Sequence, residues 1–324
     1  MMRSKIFWSA LFFLLSAALL PTKPEAQIAV KPGDEQLFAA QPKQYPFTLV
    51  AYGDLRTTHP FNHFVTDPNR RRALIARIAA EKPDLLVVNG DLVYKGGSRD
   101  DWREFSKETQ AWRDVQIKVL PAIGNHEIKD DSEVHNYLQQ FPYLQGRRWY
   151  SVHYGNVLLL TLDSESDDKP GSPQWNWIVS EFDNVPADVQ FIVFSMHHPP
   201  YTRSTDHLLG GGHAARESEQ RLAELFESQQ KQLHARIIVI AGHVHNYERY
   251  EHNGVMYIVS GGGGATPYTV QRHPDDFYNQ PGPTYHYCRI TVDHDKLNFE
   301  MFKLEGNNPQ FSFNVRDSFQ ISAK

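Results

Sequence analysis

An α/β fold is predicted by three features of this 324-residue sequence. Short apolar runs rich in β-branched residues recur along the chain. Amphipathic stretches separate several of them, and the runs end in Gly, Asp, Asn or His. The runs occupy residues 47–52, 85–89, 117–123, 157–162, 191–195 and 237–241. Their hydrophobicity is continuous rather than alternating, as expected of strands covered on both faces. Residues 68–82 open with a proline suited to a first helical turn and gather Leu74, Ile75, Ile78 and Ala79 on one side. Residues 216–233 gather Leu222, Leu225 and Phe226 in the same way. Strands alternating with helices predict ligands at the carboxyl ends of the strands. Beyond Gly254 the pattern changes. Segments 255–260, 287–292, 297–302 and 318–321, joined by tight turns such as 293–296, predict a second, more antiparallel sheet that closes the core.

The first 26 residues read as a secretory signal peptide. Arg3 and Lys5 precede an apolar run at 6–20, and a short polar stretch follows, with Ala26 as the cleavage position. A run of ~15 apolar residues is short of the ~20 that a spanning helix needs, so export is expected, with an uncleaved membrane anchor as the alternative. No membrane span is expected in the mature chain. Residues 27–45 are rich in Pro, Gln, Lys and Ala without a sustained period and read as a linker or N-terminal arm. Residues 46–324 are expected to form one catalytic domain, because the candidate ligands run from Asp54 to His245 with no linker between them.

Composition narrows the function. There are 33 basic and 38 acidic residues, a net charge of -5, which argues against nucleic acid or an anionic membrane surface as the dedicated partner. Cys288 is the single cysteine, so no internal disulfide and no cysteine-based zinc site can form. Sixteen histidines raise the prospect of a metal site.

The apolar runs deliver metal-type residues in a regular way. The first ends in Gly53 and Asp54, the second in Gly90, Asp91 and Tyr94, and the third in Gly124, Asn125, His126 and Glu127. The run at 191–195 leads to His197, His198 and Tyr201, and that at 237–241 to Gly242, His243 and His245. Each piece alone is commonplace: Gly-Asp marks many turns, and a lone histidine at a strand end usually bonds a backbone carbonyl. Five strand ends presenting Asp, Asn or His to one rim are different, because buried carboxylates and imidazoles in that concentration require a cation.

The order Gly-Asp, Gly-Asp-x-x-Tyr, Gly-Asn-His-Glu, His-x-Pro-x-Tyr and Gly-His-x-His resembles the motif series of calcineurin-like metallophosphoesterases across roughly residues 47–321. Two details resemble the purple acid phosphatase branch: the continuation through Asn246, Tyr247, Glu248 and Arg249, and Tyr94 at the position of that branch's iron-binding tyrosine. The resemblance implies a two-sheet β sandwich flanked by helices, a four-layer αββα arrangement. It implies that Asp54, Tyr94 and His245 hold one metal, that Asn125, His197 and His243 hold a second, and that Asp91 bridges them. His126 would bind phosphate and protonate the leaving oxygen, or else serve as a hydrogen-bonding support.

With phenolate and carboxylate donors, the first position suits a hard ion such as Fe(III); imidazole and amide suit Fe, Zn or Mn at the second. Two such ions clamp the attacking and leaving oxygens of an in-line displacement and supply hydroxide near neutral pH. The expected activity is hydrolysis of a small phosphate ester, first a phosphomonoester, with phosphodiesterase action on nucleotides or lipid head groups as the alternative. A non-catalytic phosphate- or metal-binding protein of the same fold is a third reading.

Arg56 departs from the branch, which has glycine there. It is expected either to bind a non-bridging phosphate oxygen or to form a surface salt bridge. His198 and Tyr201 are expected to line the pocket. His207 and His213 flank a glycine-rich loop that could fold over the site. The glycines at 261–264 lack the context of a nucleotide-binding loop and read as a turn that lets backbone pass near the metals. Trp175 and Trp177 are expected in the core or at its edge.

Overall fold

The computed structural model describes residues 36–42, 44–58, 64–128, 133–205 and 213–324. The expected signal segment therefore lies outside the described residues, as do His207 and Gly210 to Gly212. No helix among the described residues is long and apolar enough to cross a membrane.

In chain order the elements are β1 (Gln36–Ala40), β2 (Phe47–Tyr52), α1 (Pro68–Glu81), β3 (Leu85–Val88), α2 (Arg99–Glu108), α3 (Gln110–Asp114), β4 (Lys118–Pro121) and α4 (Val134–Gln140). There follow β5 (Tyr150–Tyr154), β6 (Val157–Thr161), α5 (Pro173–Asp183), β7 (Phe191–Met196), α6 (Glu217–Gln230) and β8 (Arg236–Ala241). The chain finishes with β9 (Tyr247–His252), β10 (Val255–Ser260), β11 (His286–Asp293), β12 (Lys296–Asn307) and β13 (Gln310–Ser322). Local chemistry sets the helix ends. Asp67 caps α1 by accepting from the amides of Asn69 and Arg70 at 3.0 and 3.1 Å, ahead of Pro68 in the first turn. Lys82 stops that helix in a left-handed conformation, φ 49°.

Among the described residues the strands form two sheets. One has the order β1-β5-β6-β7-β8-β10-β9, the other β13-β12-β11-β2-β3-β4. The period of two along the first sheet assigns its faces. Val157 and Leu159, Val193, Ile238 and Ile240, and Met256 and Ile258 join the core between the sheets. Their neighbours Leu158, Leu160, Ile192, Phe194, Val239 and Tyr257 pack with Ile178 and Phe182 of α5 and with Leu222 and Phe226 of α6. Buried residues of α1 to α4, including Leu74, Ile78, Phe105, Trp112 and Tyr137, pack with the second sheet. The result is the expected two-sheet sandwich with helices on both flanks. Trp175 and Trp177 sit, half-buried, at the edge of the α5–α6 core.

Three expectations are corrected. The strands after residue 254 are not a separate sheet: β10 pairs in parallel with β8, and β11 pairs antiparallel with β2, so the C-terminal strands complete sheets begun earlier in the chain. The stretch read as a linker or arm contributes β1, which pairs in parallel with β5 at a sheet edge and places Leu37 and Phe38 against the core. Finally, β13 extends well beyond 318–321. It is an outer strand with one exposed face, so its apolar residues alternate and are thinly spread.

The parallel arrangement of β2-β3-β4 and of β7-β8 sends five strand ends to one rim. Side-chain bonds anchor the first of these ends. Arg71, 1% exposed, donates to both oxygens of Glu108 at 2.6 and 3.0 Å, and its Nη1 donates to Thr66 Oγ1, whose hydroxyl reaches the Gly264 carbonyl. Arg72 meets the same Glu108 from an exposed position. Glu108→Ala strands the buried Arg71 charge and is expected to cost ~3–5 kcal/mol in urea unfolding, whereas Arg72→Ala costs under ~1 kcal/mol.

Candidate metal centre

The rim is assembled from turns with unusual backbone geometry. Asp54, Arg56, Asp91 and His243 all adopt left-handed φ values of 62°, 46°, 53° and 69°. Each such non-glycine residue costs ~1–3 kcal/mol and persists only where its surroundings over-determine it. Here they do. The amide of Asp54 donates to Gly90, that of Arg56 to Asp91 and that of Thr57 to Leu92, at 3.0, 2.8 and 2.9 Å. Two glycines permit the close approach of the turns: a Cβ on Gly124 would stand 2.4 Å from the Asp91 amide nitrogen. One on Gly261 would stand 2.2 Å from the Val244 carbonyl oxygen and 2.8 Å from Asp54 Oδ2. The glycine run at 261–264 thus passes backbone beside the centre.

Oxygen and nitrogen lone pairs converge on this rim. Nδ1 of His197 lies 2.9 Å from the Asn89 carbonyl, and Nδ1 of His245 lies 2.8 Å from that of Thr266. A carbonyl only accepts, so both Nδ1 atoms carry the proton and both Nε2 atoms present a lone pair. Nε2 of His197 faces Oδ1 of Asn125 at 3.0 Å, Nδ1 of His243 at 3.2 Å and Oδ1 of Asp91 at 3.3 Å. Oδ1 of Asn125 is also 3.2 Å from Nδ1 of His243.

Nearby, Nε2 of His245 and Oδ1 of Asp54 are 3.5 Å apart. Both atoms are buried without a hydrogen-bond partner among the described residues. Orphaned buried acceptors of this kind cost a few kcal/mol apiece unless a cation meets them. The ligand atoms of Asp54, Asp91 and His197 lie within 4.8 Å of one another, as do those of His197, His198 and His243. The donor set therefore fits metal ions.

Protonation states agree with that use. Burial holds His197 down at about 4 and His198 at about 3, and pushes His243 and His245 well below the usual range. All four imidazoles are neutral near pH 7, the form that binds metals. Burial raises Asp54, with Asp91 adding like-charge repulsion. Burial works against Asp91 too, yet the permanent charge of the Arg56 guanidinium on its Oδ2 favours the ionised form.

Glu127 closes the Gly-Asn-His-Glu motif. It is fully buried, and its Oε2 accepts from the amides of Asp91 and Gly124, both at 2.8 Å, while Oε1 accepts from Val93 at 3.1 Å. One carboxylate thus locks two neighbouring turns together. His126 donates its amide to Asp91 Oδ1 at 3.0 Å, its Nδ1 lies 2.6 Å from the Tyr94 carbonyl, and its ring lies beside the Tyr94 ring. His198 packs against the His243 ring at 4.1 Å and bonds Ser164 and Glu165 at 3.0 and 3.1 Å. His213 is drawn in as well, 4.7 Å from the His243 ring and 4.4 Å from that of Tyr268.

Two expected substrate contacts are placed differently. Tyr201 gives its hydroxyl to Glu227 on α6 at 2.8 Å and stacks on His252, which ties it to the helix layer rather than to the cluster. Arg56 is 9% exposed, so it forms no surface bridge, and its Nε and Nη2 both meet Asp91 Oδ2 at 3.0 Å.

Comparison with known proteins bears on this geometry. The family model for calcineurin-like phosphoesterases matches residues 48–247. The probable purple acid phosphatase 20 of Arabidopsis thaliana is 25% identical over 270 residues, covering 75% of this chain and 59% of that protein. The phosphoenolpyruvate phosphatase of Allium cepa is 28% identical over 249 residues, 69% of this chain and 47% of that one. The chain thus spans about half the length of these curated relatives. A purple acid phosphatase from yellow lupin (Lupinus luteus) seeds shares the fold, with a TM-score of 0.67 and 22% identity over 86% of this chain and 54% of its own.

A histidine holds the turn behind the centre, its amide donating to the Gly262 carbonyl at 3.1 Å. His286 is buried, with Nδ1 3.0 Å from the Thr284 carbonyl and Nε2 3.1 Å from Ser260 Oγ, and burial holds it down at about 4. The unfolded chain takes up this proton near 6.5, so the stability from neutral His286 is complete above pH 6.5 and is lost as pH falls towards 4. The loss amounts to about 3 kcal/mol. Urea unfolding across pH 4–7 is expected to show His286→Gln losing about 3 kcal/mol less stability on acidification than the parent.

Proposed function

This chain belongs to the calcineurin-like phosphoesterase family, and from that premise we propose that it is a dinuclear-metal hydrolase of phosphoric esters, with phosphomonoesters as the first substrate class. The observation that carries the reading is the convergence of unprotonated lone pairs from both sheets, with Asp54 Oδ1 and His245 Nε2 buried and without a hydrogen-bond partner among the described residues. We assign one metal position to Asp54, Tyr94 and His245, a second to Asn125, His197 and His243, and Asp91 to both. Carboxylate and phenolate oxygens suit a hard ion at the first position, iron among them, and imidazole and amide suit iron, zinc or manganese at the second. When bound, such a pair supplies Lewis acidity and offsets the charge of the phosphoryl group.

The chain's own residues do the rest. Glu127 fixes the turns that carry Asp91 and Asn125, so the donors are held in place before substrate arrives. We assign proton exchange with the leaving oxygen to Nε2 of His126, a role supported by the contacts of its amide with Asp91 and of its Nδ1 with the Tyr94 carbonyl, which leave Nε2 as the other ring nitrogen. His198 walls one side of His243, held by Ser164 and Glu165. His213 reaches the same ring from the loop before α6 and is assigned to contact a phosphate oxygen. Export through the first 26 residues belongs to the same proposal.

The decisive comparison uses a chromogenic aryl phosphomonoester and the matching diester, with metal-loaded parent and Asp91→Asn. Metal-dependent turnover is expected in the parent, with the monoester preferred and kcat reduced by about 10²-fold or more in the variant. Undiminished turnover by Asp91→Asn, or no turnover of either ester by fully metallated parent, would sink the reading.

A further inference from the structure

Arg56 is a fixed cation inside the cluster, at a position where the resemblance puts glycine. Its backbone and side chain are tied to the same residue. The Arg56 amide donates to the Asp91 carbonyl at 2.8 Å, and Nε and Nη2 both lie 3.0 Å from Asp91 Oδ2. The other oxygen of that carboxylate, Oδ1, turns towards His197 Nε2 at 3.3 Å and accepts from the His126 amide at 3.0 Å. Asp91 is therefore divided, with one oxygen in the ligand cluster and one on the guanidinium. The arrangement is permanent in charge, because a guanidinium neither loses its proton nor ligates a metal.

A fixed positive charge beside a metal position acts on every ion that enters, in proportion to the ion's charge. It opposes a trivalent ion by one unit of like charge more than a divalent one. We infer that Arg56 sets the charge of the cation pair, disfavouring ferric iron and directing this centre towards two divalent ions such as zinc, manganese or ferrous iron. The inference rests on the two-metal reading above and reverses the ferric preference that oxygen donors alone would give. Between charges a few ångströms apart at an effective dielectric near ~20, one extra unit of like charge amounts to on the order of 10²-fold in binding.

The test measures metal binding rather than turnover. The full chain is stripped of metal and equilibrated with ferric nitrilotriacetate against buffered zinc, and bound metals are counted by mass spectrometry for parent, Arg56→Gly, Arg56→Gln and Arg56→Lys. Glycine suits the left-handed backbone at this position; glutamine is a second neutral variant should glycine fail to fold, and thermal melts check each protein. Both neutral variants are expected to raise the ferric-to-zinc affinity ratio by about 10²-fold, and the lysine variant to stay near the parent. A ratio unchanged within about threefold in the neutral variants, with two zinc ions still bound, would overturn the role of Arg56 alone. No stoichiometric binding of any cation by the parent would instead overturn the two-metal reading, and this inference with it.

Discussion

The burial of two carboxylates, Asp54 and Asp91, in the company of four neutral imidazoles is the constraint on which this structure turns. Both carboxylates have no solvent exposure. Moving such charges out of water is far more costly than any single hydrogen bond repays. The chain supplies some compensation itself. Arg56 meets Asp91, and backbone amides of His126 and His243 meet Asp91 and Asp54. What remains uncompensated, Asp54 Oδ1 above all, is aimed at His245. A protein that accepts this cost uses the site, and cations are what the donors select.

The sandwich makes the convergence affordable. Strands β2, β3 and β4 bring Asp54, Asp91 and Asn125 from one sheet, while β7 and β8 bring His197, His243 and His245 from the other. Neither sheet alone holds the donor set. Bonds across the gap fix the relative placement: Ser195 Oγ donates to Asn89 Oδ1 at 3.0 Å, and the Gly263 amide donates to the Gly53 carbonyl at 2.8 Å. The core between the sheets is apolar and close-packed, so the donors stand on a stiff base. The left-handed residues then work as short levers that point side chains inward, with their strain carried by that base.

Much of this was legible in the sequence because the informative segments are covered on both faces. The runs that became β2, β3, β6, β7 and β8 read clearly, as did the residues just after them. Other elements carried weak local signals. The sequence of β9, Tyr-Glu-Arg-Tyr-Glu-His, is polar because it forms a sheet edge, and α2 shows mainly Trp102 and Phe105 to the core amid charged neighbours. Sheet membership was hidden for another reason: the pairing of β11 with β2 joins residues more than 200 positions apart, and no local period encodes it. Side-chain partners followed the same division. Metal-type residues are recognisable one by one, but Tyr201 bonds Glu227 and Arg56 bonds Asp91 only through tertiary placement. Glu127 stood in plain view within its motif, yet its purpose is to hold backbone amides of two turns, which no residue pattern displays.

Folding and metal binding are coupled in such a design. A cation that meets Asp54 and His245 binds the folded chain and not the unfolded one, so it adds stability that grows with the ratio of free ion to dissociation constant, about 2.7 kcal/mol at a hundredfold ratio. The same ion relieves the repulsion between Asp54 and Asp91 that burial sharpens. Arg56 sits on the opposite side of this balance. It stabilises Asp91 without any metal and thereby takes away part of what an incoming ion would gain. A residue that makes the metal-free fold easier to hold thus makes the metal harder to hold, most of all a highly charged one. Selectivity among cations and stability of the unloaded protein are, in this centre, two consequences of one ion pair.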